Sequence, residues 1–301
     1  MASVVVLAGG TGGAKLARGM LDVAGDELTV IANTADDIEI YGAHVSPDPD
    51  LCTFWLTDRI DDRGWGLRDD TFEVMAGLRE LGVDVWFQLG DRDLAIGIER
   101  ARRLADGARL TDAIAEIGAA LGLRGRVLPM SDDPVRTWVR KDGRWMTFQE
   151  FMIRARAEGP IEGTELRGAA GAQPTDEVLD ALAGARAIVI GPSNPVISIG
   201  PILAIPSMRQ ALIDSPAPVV AVSPLVGGEV VKGPTAAFMR WAGQAATTEA
   251  VAGCYAGLID GLVADEAVDG LPVLKTDTLM ADAASRRRVA AETLSFAEGL
   301  A

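Results

Sequence analysis

Four apolar residues, Val4-Val5-Val6-Leu7, run directly into Ala8-Gly9-Gly10-Thr11-Gly12-Gly13-Ala14-Lys15-Leu16, after which Leu16, Met20 and Val23 share one helical face. A buried strand, a glycine turn and a helix in that order constrain the fold strongly, because a strand apolar on both sides needs cover on both sides. The unit returns along the chain. Leu28 to Ala32, Val83 to Leu89, Ala187 to Ile190 and Val219 to Val222 read as further strands, and Thr111 to Leu121 reads as a helix with Thr111 or Asp112 as its cap. The expected fold is α/β: a Rossmann-like, mostly parallel sheet with helices on both faces.

The middle of the chain breaks this rhythm. Trp138-Val139-Arg140 and Arg144-Trp145-Met146 flank the turn Lys141-Asp142-Gly143, which predicts a hairpin. We therefore expect residues 1–125 and 176–301 to form the nucleotide- or phosphate-binding core, with 126–175 inserted as a smaller hairpin and helical subdomain. Near the C-terminus, Val289, Thr293, Phe296 and Leu300 recur at helical spacing opposite Arg286 to Arg288, the pattern of a packing helix with a solvated basic face.

With 49% hydrophobic and 24% charged residues among 301, the chain is globular in composition, and its net charge of -15 repels nucleic acid and anionic lipid at long range. Neither partner is expected. Cys52 and Cys254 lack the spacing of a disulfide framework or a zinc site. No signal pattern occupies the first residues and no apolar run suffices to span a bilayer, so a cytoplasmic protein is expected.

The loop from Gly9 to Lys15 has a definite chemistry. Glycines let backbone N–H groups approach phosphate oxygens, and the helix N-terminus with Lys15 adds positive potential. It is not a Walker loop, since Leu16 stands where Ser or Thr would hold magnesium, nor a dinucleotide fingerprint, whose third glycine would fall on Lys15. A tight turn that binds nothing is the alternative. Asn33-Thr34-Ala35-Asp36-Asp37 ends the second strand, and Ser46-Pro47-Asp48-Pro49-Asp50 follows one loop later. Strand C-termini of a parallel sheet share one rim, so these acids can meet a phosphate held by the glycine loop. Carboxylates beside phosphate repel unless a divalent cation intervenes; otherwise they are solvated acidic turns.

Other turns could serve the same rim. Gly90-Asp91-Arg92-Asp93 offers an arginine held between two acids, or simply a salt-bridged helix start. Gly191-Pro192-Ser193-Asn194-Pro195, with Ser198 and Gly200-Pro201, can bind phosphate or a base, and Lys232 in a third loop can pair with phosphate or face solvent. His44, the sole histidine, has no nucleophilic partner at a telling spacing and reads as structural. Most of Trp55, Trp65, Trp86, Phe87, Trp138 and Trp145 are expected in the core, leaving two or three to line a heterocycle pocket.

Together these stretches resemble the 2-phospho-L-lactate transferases and their phosphoenolpyruvate-transferring relatives of coenzyme F420 biosynthesis. The resemblance runs through Gly9 to Lys15, Asn33 to Asp37, His44 to Asp48, Gly64-Trp65-Gly66, Trp86 to Asp93, Met130-Ser131-Asp132, Gly191 to Pro201 and Thr276 to Met280. It departs at Leu51, where that family usually has threonine. The resemblance implies transfer of a phosphorylated three-carbon acid from its guanosine diphosphate adduct to the ribityl hydroxyl of the deazaflavin Fo, releasing GMP, by a magnesium-dependent homodimer. It implies that Asp36 and Asp50 bind metal and act in catalysis. Asp50 and Arg92 would contact Fo, while Gly10, Thr11, Gly12, Gly13, Lys15, Ser193, Asn194 and Ser198 would hold the guanosine and phosphates.

Two other readings stand beside it. A nucleotide-sugar-binding regulator of the gluconeogenesis-factor type shares the glycine loop, and a Rossmann dehydrogenase shares the strand-turn-helix unit. Against the dehydrogenase, the second strand ends in Asn33-Thr34 rather than a ribose-binding acid. Between Asp36 and Glu73 eleven acids face three arginines, which concentrates negative charge beside the expected phosphate site. Diphosphate binding there should therefore require magnesium.

Overall fold

The computed structural model describes residues 3–231 and 233–301. In chain order, β1 (Ser3–Ala8) and β2 (Leu28–Ala32) precede a short hairpin of β3 (Ile38–Ile40) and β4 (Ala43–Val45), and β5 (Arg126–Pro129) follows. Next come β6 (Arg136–Lys141), β7 (Arg144–Thr147), β8 (Gly163–Arg167), β9 (Ala185–Ile190) and β10 (Val219–Val222). The chain continues with β11 (Leu225–Val226), β12 (Glu229–Val230), β13 (Gly261–Ala264) and β14 (Val273–Lys275). Seven of these form one parallel sheet in the order β14-β13-β10-β9-β1-β2-β5. From β1 the chain winds outward to β2 and β5, then returns to lay β9 on the other side of β1 and winds the opposite way. The strand order therefore reverses between β1 and β9, which in an open parallel sheet leaves a crevice at the strand C-termini.

Sequence alternation explains the two layers. Val4, Val6 and Ala8 point into one core, together with Leu16 and Met20 of α1 (Gly10–Ala24), Cys52 and Phe54 of α2 (Pro47–Leu56), and Val289 of the C-terminal helix Ala283–Glu298. Val5 and Leu7 point into the other, with Val178, Ile202 and Met208. Gly19 lets α1 approach the C-terminal helix: a Cβ there would lie 2.3 Å from the Arg286 carbonyl oxygen. Val289 and Thr293 are fully buried, as their spacing predicts. No helix of the described residues is long and apolar enough to cross a membrane.

Three expectations change. Arg126–Pro129, expected to open the insertion, is β5, an edge strand paired with β2, so the insertion begins after it. The inserted part is the three-stranded antiparallel sheet β7-β6-β8 with α6 (Phe148–Ile153), and its hairpin closes through Asp142 and Gly143, both at positive φ. Val83 to Leu89 is not a strand. Its alternating apolar side chains lie against Met75 and Leu94 and against the β3–β4 hairpin, while β5 occupies the sheet edge. The segment lies between α3 (Glu73–Glu80) and α4 (Asp91–Ala105). Finally, the amide and hydroxyl of Thr111 both donate to Asp132, so the start of α5 (Leu110–Ala120) is served by a distant acid rather than by Thr111 or Asp112 as cap.

Candidate functional site

A cavity of about 330 Å³ opens where the strand order reverses. Its walls come from strand C-terminal ends: Gly9, Gly10 and Thr11 after β1, Asp36 after β2, Ser193 and Asn194 after β9, Ser223 and Pro224 after β10, and Thr278 to Met280 after β14. The rim inferred from the sequence lines the cavity with two exceptions: Gly90 to Asp93 follows no strand and contributes nothing to this wall, and neither does Asp50.

The glycines of the first loop have separate reasons. A Cβ on Gly12 would meet the Pro192 carbonyl oxygen at 2.1 Å, and one on Gly13 would meet Ser193 Oγ at 2.6 Å, so these two let the β1 and β9 turns pack together. Gly13 accordingly lies behind the cavity wall rather than on it. Gly10 is different: its φ of 63° favours glycine and nothing crowds it. It begins a 15-residue helix whose N-terminus, carrying no side-chain cap or acid of its own, faces the cavity. Lys15, one turn on, also lines the cavity; its Nζ donates to the Met280 carbonyl at 3.2 Å and lies 5.9 Å from the Trp55 ring centroid.

Two carboxylates join this cradle, Asp36 and Asp48. The Gly10 amide donates to Asp48 Oδ1 at 2.6 Å and Asn33 Nδ2 donates to Oδ2 at 3.0 Å, fixing Asp48 at the mouth of α1. Burial pushes its pKa up to about 6, against those hydrogen bonds. Asp36 is buried, and its Oδ1 finds no hydrogen-bond partner among the described residues. Burial first, then the charges of Asp48 and Asp37, hold its pKa well above the usual carboxylate range. An orphaned carboxylate oxygen on a cavity wall beside a second acid is a donor set for a hard cation. No cluster of three or more His, Cys, Asp or Glu among the described residues could hold a metal by itself. Magnesium takes one or two carboxylates and completes its shell with water and phosphate, so Asp36 and Asp48 are the residues that would hold it.

The structure does not bring Asp50 to this wall. Residues two apart on a helix point in nearly opposite directions, so Asp48 faces the glycine loop and Asp50 faces α4. There Arg100, fully buried, binds both Asp50 oxygens, with Nη1 at 3.0 Å from Oδ2, and Nη1 also donates to the His44 carbonyl at 2.9 Å. Arg100 escaped the sequence reading because Arg102 and Arg103 beside it mark a solvated face. Asp93 adjoins the pair, and burial followed by the charges of Asp50 and Asp70 pushes it up to about 7. Arg92 is exposed and is not clamped by its neighbours. Asp91 instead accepts from the amides of Glu73 and Val74 at the start of α3, while Asp70 accepts from the amides of Arg92 and Asp93 at the start of α4. His44 is structural, its Nε2 3.1 Å from Asp37 and its Nδ1 3.3 Å from Glu39, and these partners raise its pKa against burial.

Of the second loop, Ser193 Oγ accepts from the Gly9 amide at 3.2 Å, and Asn194 Oδ1 accepts from the amides of Val196 and Ile197. Asn194 Nδ2 is buried without a partner among the described residues, and Asn194 and Ser198 both line the cavity. The insertion supplies Phe148, Gln149 and Met152, which no motif had indicated. No tryptophan lines the cavity; Phe148 is its aromatic residue, while Trp55 lies against Lys15 and Arg286. Lys232 lies outside the described residues.

A doubly wound parallel sheet with a helix N-terminus, a lysine and two buried acids at its switch point defines an α/β protein of the Rossmann-like class, in which ligands bind at that crevice. Residues 4–292 match the family described as 2-phospho-L-lactate transferase CofD, and the chain belongs to that family. It is 40% identical over 265 residues to a 2-phospho-L-lactate transferase of Methanosarcina mazei, covering 87% of each chain. It is also 40% identical to a phosphoenolpyruvate transferase of Kitasatospora aureofaciens, over 98% of each. Among solved structures, a Bacillus halodurans protein of the upf0052 family shares the fold, with a TM-score of 0.63 at 19% identity over 98% of this chain and 99% of that one.

Proposed function

We propose that this protein transfers a phosphorylated three-carbon acid from its guanosine diphosphate adduct to the ribityl hydroxyl of Fo, releasing GMP, as a cytoplasmic homodimer in coenzyme F420 biosynthesis. The observation that carries this reading is the convergence of the α1 N-terminus, Lys15 and the buried acids Asp36 and Asp48 on one cavity in a chain of this family. In this reading the α1 N-terminus and Lys15 hold the diphosphate, and Asn194 and Ser193, on the cavity wall after β9, serve the nucleoside side. Asp36 and Asp48 are the residues that would hold magnesium, whose chemistry there is to neutralise charge on the diphosphate.

The hydroxyl oxygen attacks the phosphorus bearing the acid, and the bond from that phosphorus to the bridging oxygen breaks, so the bridging oxygen leaves with GMP. The hydroxyl proton passes to a carboxylate of the cavity. Positioning and charge neutralisation carry most of the acceleration, since a primary alcohol loses its proton late in such a displacement. Arg92, exposed at the start of α4, is proposed as an Fo contact, with Asp50, held by Arg100, supporting the α2–α4 side of the site from behind.

The test is mass spectrometry of products formed from Fo with the lactyl, enolpyruvyl and glyceryl adducts in turn. A phosphodiester product together with GMP supports the reading and identifies the acid. Tight UDP-sugar binding with no turnover of any adduct would replace it with a regulatory one.

A further inference from the structure

The insertion reaches the cavity through a side chain that no motif singled out. Gln149 lies on α6, whose start is fixed by a capping box: Glu150 and Thr147 exchange hydrogen bonds through side chain and backbone. Gln149 is buried, and its Nε2 donates to the Asp36 carbonyl oxygen at 3.1 Å. Because that partner is an acceptor only, the amide orientation is determined, and Oε1 is the free end. No described residue donates to Oε1, yet it is not among the sealed, unpartnered atoms. Gln149, Phe148 and Asp36 together form the partition between the main cavity and a smaller one of about 130 Å³ behind it.

We infer that Gln149 Oε1 accepts the hydrogen bond of the acceptor's hydroxyl and so sets the attacking oxygen beside Asp36. The inference rests on the transfer reading above. A neutral amide oxygen suits an alcohol: it orients the O–H without taking its proton, and it disfavours a carboxylate or phosphate at the same place. The nucleoside has other partners, since Ser193, Asn194, Ser223 and Thr278 line the cavity from the β9, β10 and β14 ends. Anchored on the main chain of Asp36, Gln149 belongs to the reacting centre. It also makes the insertion a working part of the site.

The experiment is a cycle between Gln149→Met and an Fo analogue lacking the terminal ribityl hydroxyl, read as acceptor binding alongside steady-state constants for Fo and the adduct. Wild-type protein should bind Fo about tenfold more tightly than the deoxy analogue, and Gln149→Met should bind the two alike. In the variant the KM for Fo should rise about tenfold, with the adduct KM within twofold of wild type. Where Gln149→Met fails to fold, Gln149→Asn, which keeps the amide one methylene short, should show the same loss of discrimination. Unchanged discrimination in the folded variant, or a rise confined to the adduct KM, overturns the inference. Wild-type protein that transfers to no acceptor fails the transfer reading instead, a result distinct from active protein in which Gln149 is silent.

Discussion

Arg100 grips both carboxylate oxygens of Asp50 in a place where the arginine has no solvent access. Such a pair contributes little net stability compared with apolar residues of the same volume, but removing one member strands the other charge. Arg100→Met should therefore cost about 3–5 kcal/mol of folding stability, and Arg100→Met with Asp50→Leu much less. Urea denaturation of the two single variants and the double variant decides this; a double variant that costs the sum of the two single ones would show that the residues act independently.

Asp36 and Asp50 should separate by function. Asp36→Asn removes the unpartnered oxygen on the cavity wall, so magnesium-dependent binding of GDP should weaken at least about 10–100-fold, the range seen when support for a metal site is lost. Asp50→Leu, combined with Arg100→Met so that no buried charge is stranded, should lower transfer to Fo sharply while leaving GDP affinity largely intact. Calorimetric titration with GDP, with magnesium and then with chelator, checks both, and chelation should abolish binding by wild-type protein.

Two glycine substitutions should have opposite signs. Gly12→Ala drives a methyl into the Pro192 carbonyl, so it should cost about 1–3 kcal/mol or more and pull the two phosphate-side turns apart. Gly77→Ala, mid-helix in α3 with nothing near its Cβ, should stabilise by about 0.5–1 kcal/mol. Denaturation midpoints with and without GDP measure both, and only Gly12→Ala should lose ligand stabilisation.

Asp93 gives the stability curve a pH dependence. Its native pKa, raised to about 7, exceeds that of the unfolded chain near 4. Between those values the native state binds more protons, so stability falls as pH rises from about 4 through 7. Asp93→Asn should leave the melting temperature at pH 5 nearly unchanged and raise it at pH 8 by a few degrees. A variant whose melting temperature tracks wild type at both pH values would refute this.

The sheet was readable where a strand is a long apolar run. Val4–Leu7, Leu28–Ala32, Ala187–Ile190 and Val219–Val222 are sealed on both faces, and burial on both faces leaves an unbroken apolar signature. Gly261–Ala264 and Val273–Lys275 are short and flanked by turns, so their pattern falls below that of a loop. Val83 to Leu89 alternates like a strand because it too has one apolar side, but that side meets helices and a hairpin. At the site, the glycine loop and Asp36 were legible because a strand end fixes where the next residues emerge. Which of Asp48 and Asp50 faces the ligand was not, since both lie on a helix whose rotation about its axis is set by packing. Gln149 and Arg100 act through tertiary contacts with residues more than forty positions away, which no local spacing encodes.

The exchanged caps of α3 and α4 have a dynamic consequence. Asp70 holds the first amides of α4, and Asp91, on α4 itself, holds the first amides of α3. Fraying of either helix start releases a carboxylate that the other needs, so the two should open to solvent as one cooperative unit rather than in sequence. Backbone amides of Glu73, Val74, Arg92 and Asp93 should then exchange with deuterium at a common free energy of opening, and Asp91→Ala should accelerate all four together.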